Sequence, residues 1–237
     1  MRLGLIGHPI KHSLSPKLYN EILGSKLQSY DLLDFDSSEK IPSLQELAAQ
    51  YDGINITSPY KKHFVNQVVI DSPIVKSINA INTLSFTPEG IYGTNTDVLA
   101  VEAILRKYQN LYSNLHLLLL GGGVMAKVTQ LVAEKLSISI DCFSRKSSGE
   151  LSVFNLPSHR KRASQNIIIN ACSRDFIYRG PLSKEDIFWD FNYSFDPHQS
   201  TIPTLVKSYE DGQEMLRLQA LAAVNFWYQT NLNLSAD

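Results

Sequence analysis

The sequence is poor in the features that would commit it to a secreted, membrane or nucleic-acid setting. Only two cysteines, Cys142 and Cys172, occur in 237 residues, too few for the disulfide frameworks of small secreted domains. Both lie in apolar runs that read as strands, so buried, reduced thiols are expected. The run Leu117 to Leu120 is far shorter than the about 20 apolar residues a membrane-spanning helix needs. Met1-Arg2-Leu3-Gly4 runs straight into a strand-like segment, so no secretory leader is expected. Neither sign of charge is in excess: the formal net charge is −1, which gives no electrostatic reason for nucleic acid or a membrane surface as the main partner. The six histidines lack metal-ligand spacing, and no metal is assigned. What is present is an ordinary globular composition, 43% apolar and 19% charged, in a length that allows two modest domains. A cytoplasmic protein is the expectation.

The stretch Ile54-Asn55-Ile56-Thr57-Ser58-Pro59-Tyr60-Lys61-Lys62 organises the first half. Alternation puts Ile54 and Ile56 on one sheet face, with Asn55 and Thr57 on the other. Pro59 cannot continue a ladder, so the strand ends near Thr57 and Lys61 emerges at its mouth, where open α/β sheets place ligands. A helix is expected from Lys62 towards Ile70. Before this stretch, Leu3 to Gly7 reads as a strand, and Ser15-Pro16 as an N-cap and N1 pair opening a helix. A strand from Tyr30 to Phe35 and a helix from Pro42 to Gln50 follow. After it come a hairpin from Asn82 to Gly93 and a helix start at Thr94-Asn95-Thr96-Asp97. Strands alternating with helices argue for α/β architecture with a mainly parallel sheet.

The second half opens on the apolar strand 117–120, then Gly121-Gly122-Gly123-Val124-Met125 and a helix. This order of strand, glycines and helix brings backbone N–H groups and a helix N-terminus to a pyrophosphate. Taken alone the triplet is a weak signal, because many glycine turns bind nothing. The next strand, Ile138 to Phe143, ends in Ser144-Arg145-Lys146. With no acid at its tip for a ribose 2′-hydroxyl and basic residues suited to a 2′-phosphate, NADP is favoured over NAD. Further strands are expected at Ile167 to Cys172 and Ile187 to Phe191, and a closing helix from Gly212 to Tyr228.

Six blocks, in order and over nearly the whole length, resemble the shikimate dehydrogenase family. They are Gly7 to Pro16, Asn55 to Lys61, Asn79 to Leu84, Gly93 to Asp97, Asp190 to Tyr193 and Gly212 to Gln219. The resemblance implies two α/β domains. A discontinuous substrate domain would comprise 1–97 plus 213–237, and a Rossmann-like NADP domain, possibly reduced in size, 98–212. It implies reversible, NADP-dependent reduction of 3-dehydroshikimate to shikimate in aromatic amino-acid biosynthesis. It assigns catalysis to Lys61 and Asp97, and substrate binding to Ser13, Ser15, Thr57, Asn82, Tyr193 and Gln219. Cofactor contacts fall to Gly121, Gly122, Gly123, Val124, Met125, Ser144, Arg145, Lys146, Phe191 and Gly212. Independently, a polyhydroxylated ring acid needs hydroxyl and amide partners, and oxidising an alcohol needs an acid–base group at the oxygen as hydride leaves carbon.

The dinucleotide half departs from the family more than the substrate half. The family's turn is typically Gly-Ala-Gly-Gly-Ala, and Val124 stands where a glycine would let the backbone approach phosphate closely. Residues 146–165 leave little room for the usual helix, strand and helix, and 208–211 is only a short link where the family commonly has another strand. Glu214 replaces a residue that is usually small. Two alternatives stay open: a quinate or other cyclic-polyol dehydrogenase using NAD or NADP, and a weakly active ligand-binding paralogue.

Overall fold

The computed structural model of the chain describes residues 1–232. Contacts divide it into two compact units, Met1–Leu99 with Arg217–Asp237, and Ala100–Leu216. In chain order the first unit carries β1 (Arg2–Gly7), α1 (Ser15–Leu23), β2 (Ser29–Asp34), α2 (Leu44–Gln50), β3 (Gly53–Ile56), α3 (Pro73–Ile78), β4 (Thr83–Thr87) and β5 (Gly90–Thr94). The second carries most of α4 (Asp97–Leu111), then β6 (Leu115–Leu120), α5 (Val124–Lys135), β7 (Ser139–Phe143), α6 (Arg145–Ser148), β8 (Gln165–Asn170), β9 (Ile187–Asp190), α7 (Asp196–Gln199) and β10 (Ser208–Glu210). Last comes α8 (Gln213–Leu232), whose greater part returns to the first unit.

The first sheet has strand order β2-β1-β3-β4-β5. Its β2-β1-β3 core is parallel, and the β4–β5 hairpin extends it antiparallel from β3. β3 lies at the centre and is buried along its length. Gly53 in this strand is fixed by packing, because a Cβ there would stand 2.3 Å from Trp227 Nε1. The Trp227 indole donates to the Leu84 carbonyl at 2.7 Å, so α8 lies directly on the sheet, and its Trp227 joins Leu3, Tyr19, Leu23 and Ala223 in one core.

The second sheet, β10-β9-β8-β6-β7, is parallel throughout. Leu117–Leu120 and Ile167–Ile169 are fully buried, as expected of strands covered on both faces. Three local expectations are overturned here and in the first unit. No α-helix follows Lys62: the chain makes turns and a short 3₁₀ segment at Val65–Gln67. The link expected at 208–211 contains β10, paired with β9 from Ser208–Ile187 to Glu210–Trp189. Cys142 is exposed and Cys172 half-buried, not core thiols; burial still pushes the Cys172 thiol up to about 11. Between α6 and β8 there is one 3₁₀ turn, Leu156–His159. Among the described residues no helix is long and apolar enough to cross a membrane.

Candidate active site

The first unit gathers its polar residues around the carboxyl end of β3. Thr57 N donates to the Ile6 carbonyl at 2.8 Å, ending the strand, and Tyr60 N closes a turn onto the Thr57 carbonyl at 2.9 Å. Tyr60 Oη donates to the Phe35 carbonyl at 2.7 Å, and Ile81 N donates to the Lys61 carbonyl at 2.8 Å. These bonds fix the backbone on both sides of Lys61 without a helix. Its Nζ donates to Asp97 Oδ2 at 2.6 Å, with the two side chains 15% and 8% exposed. Asp97 opens α4, and its own N–H donates to Asn95 Oδ1 at 3.2 Å, while Asn95 Nδ2 donates to the Ala80 carbonyl at 3.0 Å. A carboxylate at a helix N-terminus is also favoured by the helix dipole.

Asn82 is the hub beside this pair. Its Oδ1 accepts from Thr96 N at 2.8 Å, Thr96 Oγ1 at 3.2 Å and Thr83 Oγ1 at 3.0 Å. A backbone N–H can only donate, so the Asn82 atom facing it is the oxygen, and the amide NH₂ is left to face elsewhere. Thr96 Oγ1 also reaches Gln219 Oε1 at 3.4 Å, which ties α8 into the same network. Asn55 Nδ2 donates to the Asn82 carbonyl and to Thr83 Oγ1 at 3.4 and 3.3 Å.

Ser13 and Ser15 sit at the mouth of α1. Ser15 was expected to cap this helix, but Leu14 occupies the N-cap position and no side chain caps it. Ser15 lies one residue inside, and its Oγ accepts from Ser13 Oγ at 3.1 Å while its N donates to Ser13 Oγ at 3.2 Å. The loop leading to them is pinned by Asp34, which holds His8 Nδ1 at 2.7 Å and accepts from Ile10 N at 3.2 Å. The hydrogen bond from His8 and that from the Ile10 amide hold the Asp34 carboxyl below the usual carboxylate range. Lys61 and Asp97 form one pair and Asn82, Thr96 and Gln219 a second hydrogen-bonded group, adjoining in sequence at Thr96–Asp97, with the serine pair on the α1 side of the same unit. Sequence reasoning missed Asp34, Thr96 and Tyr30; of these only Thr96, inside the Gly93–Asp97 block, carried a signal.

The second unit holds the remaining expected residues. Gly121 has φ +132°, and a Cβ on it would lie 2.8 Å from the Ala171 carbonyl oxygen; only glycine fits this turn. Gly123 is the N-cap of α5 and offers its first turn no side-chain bond, with Val124 and Met125 as the first two helical residues. A cavity of about 350 Å³ is lined by Gly121, Gly122, Gly123, Lys127, Ser144 and Ser147, among others. Ser144 caps α6 reciprocally with Ser147, and Arg145 and Lys146 follow, both exposed. A glycine turn at a helix N-terminus, with a lysine and an arginine and no carboxylate at the tip of β7, fits a dinucleotide carrying an extra phosphate.

Phe191 and Gly212 are held together: a Cβ on Gly212 would stand 2.2 Å from the Phe191 carbonyl oxygen. Tyr193 lies in the adjoining turn, whose Tyr193 and Ser194 carbonyls accept from Arg174 at 2.8 Å each. Asp190 anchors that turn, accepting from Asn192 N at 2.9 Å and Asn170 Nδ2 at 2.9 Å. His198 completes it: Nε2 accepts from Tyr178 N at 2.8 Å, so Nδ1 carries the proton and donates to Asp190 at 2.5 Å. Tyr193 thus belongs to the second unit, apart from the other five residues expected to bind substrate. Glu214 is exposed in the first turn of α8.

Residues 5–84 match the family model described as the shikimate dehydrogenase substrate binding domain. The chain is 27% identical over 239 residues to a shikimate dehydrogenase (NADP(+)) of Helicobacter pylori, covering 92% of this chain and 88% of that protein. It is 28% identical over 187 residues to the one of Methanococcus vannielii, covering 77% of this chain and 63% of that one, so it spans less than two thirds of that relative. The crystal structure of shikimate dehydrogenase 1 from Peptoclostridium difficile superposes with a TM-score of 0.71 at 26% identity, covering 96% of this chain and 91% of that one.

Proposed function

Because the chain belongs to the shikimate dehydrogenase family, we propose that it catalyses the reversible, NADP-dependent interconversion of 3-dehydroshikimate and shikimate. The observation that carries this reading is the 2.6 Å contact between Lys61 Nζ and Asp97 Oδ2 beside the Asn82 hub. Oxidation of a secondary alcohol breaks an O–H and a C–H bond. Lys61 as the neutral amine takes the proton as the C–O bond becomes a carbonyl, and in the reverse direction the ammonium so formed returns it to the oxygen. Asp97 orients the lysine beside the substrate hydroxyl. Asn82 donates its NH₂ to a ring hydroxyl, because its oxygen is already occupied three times. Ser13 and Ser15 supply hydroxyls to the carboxylate, Thr57 and Gln219 complete the polar lining within the first unit, and Tyr193 is a substrate-binding residue carried by the second. NADP, when bound, supplies the hydride acceptor and, reduced, the hydride donor. Gly121, Gly122, Gly123, Val124 and Met125 would hold its pyrophosphate, Ser144, Arg145 and Lys146 its 2′-phosphate, and Phe191 and Gly212 its nicotinamide end. The division into a substrate domain and a dinucleotide domain, a cytoplasmic location and a monomer or homodimer belong to the same reading.

Steady-state assay of shikimate and quinate against NADP and NAD, followed at the reduced-nicotinamide absorbance band, tests it. Highest kcat/KM for shikimate with NADP is expected. Preference for quinate, or for NAD, replaces the substrate or cofactor assignment. Shikimate binding by calorimetry with no cofactor reduction identifies a ligand-binding paralogue instead.

A further inference from the structure

The serines expected to meet the substrate's carboxylate end the loop between β1 and α1, and the tip of β2 holds that loop in shape. β1 and β2 run parallel with Gly7 opposite Asp34, so the two strands finish level and the Asp34 side chain stands beside the first loop residues. Its carboxylate takes two of them at once: Oδ1 meets His8 Nδ1 at 2.7 Å, and Oδ2 accepts from Ile10 N at 3.2 Å. An ionised carboxylate can only accept, so His8 Nδ1 carries the proton. Ile10 is buried and closes over Gly7, where a Cβ would stand 2.6 Å from Ile10 Cγ2. Its carbonyl accepts from Ser13 N at 2.9 Å. Ser13 Oγ in turn accepts from Ser15 N at 3.2 Å and donates to Ser15 Oγ at 3.1 Å. A continuous run of bonds leads from the Asp34 carboxylate through Ile10 to both serines.

The next residue of the same strand end serves the other loop. Phe35 N donates to the Gly7 carbonyl at 3.2 Å, and the Phe35 carbonyl accepts from Tyr60 Oη at 2.7 Å, beside Lys61. Those bonds use backbone atoms of Phe35, so the Lys61 loop keeps them whatever side chain stands at Asp34. The Asp34 carboxylate, 21% exposed, spends its bonds on the serine loop. The His8 and Ile10 donors, with Lys11 acting at longer range, offset its negative charge, which an anionic substrate would otherwise meet unscreened. We propose that Asp34 is a positioning residue for substrate recognition: by holding His8 and Ile10 it sets the loop geometry in which Ser13 and Ser15 reach the carboxylate of the bound cyclic hydroxy acid. The inference rests on the proposed function and deepens it.

Calorimetric titration of shikimate and of methyl shikimate into wild-type, Asp34→Ala and Asp34→Asn proteins tests this, with kcat and KM for NADP measured at saturating shikimate. Losing hydrogen bonds made by a charged group predicts a Kd for shikimate raised about ten-fold in Asp34→Ala. Turnover and KM for NADP should stay within about three-fold, because the Lys61 loop and the second unit are untouched. Asp34→Asn keeps an acceptor oxygen for the Ile10 amide, so its Kd should return to within about three-fold of wild type. With methyl shikimate, whose ester carries no charge, the gap between wild type and Asp34→Ala shrinks to about two-fold. Equal shikimate affinities overturn the proposal. A parallel loss of turnover and NADP affinity, or an Asp34→Ala protein that does not fold, assigns Asp34 to general stability and overturns it too. Asp34→Asn as weak as Asp34→Ala assigns the effect to charge rather than to the loop bonds, and an undiminished effect on the ester breaks the link to the carboxylate; either result overturns it. Wild-type protein that fails to bind shikimate overturns the proposed function along with this one. Tight wild-type binding with unchanged Asp34→Ala affinity removes this one alone.

Discussion

Replacing Lys61 by methionine removes the ammonium and keeps most of the volume. Proton transfer by a positioned group contributes about 10²–10⁴-fold to rate, equivalent to about 2.7–5.5 kcal/mol of barrier. The gross attraction across the 2.6 Å contact is about 6 kcal/mol at an effective dielectric of about 20, but desolvation offsets most of it. Because the lysine is partly exposed and Asp97 keeps the helix N-terminus, the stability lost should be about 1–3 kcal/mol, below the 3–5 of fully buried pairs. Turnover should therefore collapse in a protein that still folds. Steady-state oxidation of shikimate at saturating NADP, beside a thermal melt, reads both quantities. Lys61→Arg sharpens the test: a guanidinium restores the charge and the ion pair, but it stays protonated. It should recover stability within about 1 kcal/mol and leave turnover low. Lys61→Met with turnover within ten-fold of wild type removes the catalytic assignment, and recovery of turnover by Lys61→Arg leaves Lys61 an electrostatic role only.

Arg145→Ala should raise KM for NADP about ten-fold or more, the value of a charge-assisted bond to phosphate, while KM for NAD changes less than about three-fold; equal effects on both would place the arginine away from the 2′-phosphate. His116, buried on β6, is held below its ordinary pKa chiefly by burial, which outweighs the Asp141 carboxylate 3.3 Å from Nε2. Its stabilising contribution is complete above about pH 6.5 and is lost as pH falls through the lowered folded value. Calorimetric melting points should therefore fall between pH 7 and 5, and His116→Leu should flatten that slope; an identical slope in the variant excludes His116 as its source.

Long apolar patterns were the legible part of the fold. Leu117 to Leu120 and Ile167 to Ile169 could only be buried strands, and the alternation in Ile54–Thr57 correctly faced Asn55 towards polar company. What failed was decided by distant backbone. The stretch after Lys62 carries Phe64, Val65, Val68 and Val69 at spacing that suits a helix, but Val69 N donates to the Ile91 carbonyl and Gly93 N to the Val69 carbonyl. That pairing with β5 holds the segment extended and leaves the Val69 side chain half-exposed. β10 has three residues and exists only because β9 offers an edge to pair with. Cys142 lies on β7, the end strand of its sheet, so a strand that reads as apolar still leaves it exposed. In the site, the charged pair and Asn82 were legible because they lie within short motifs. Asp34 was not, because it matters through contacts with another segment, His8 and Ile10.

The Asn82 hub separates what binding requires from what folding requires. Asn82→Ala leaves Thr96 N, a donor fixed by the backbone, without its acceptor in a buried position. One orphaned donor costs about 1–3 kcal/mol. Thr96 Oγ1 can turn to Gln219 Oε1 at 3.4 Å, and Thr83 Oγ1 keeps the bond it accepts from Asn55 Nδ2, so they add little beyond the small cavity. A total of about 2–4 kcal/mol is expected, read as an earlier midpoint in urea unfolding at an unchanged slope. If Asn82→Ala unfolds at the wild-type midpoint, its oxygen is not the acceptor that fixes Thr96, and the deduction that its NH₂ faces the substrate falls with it.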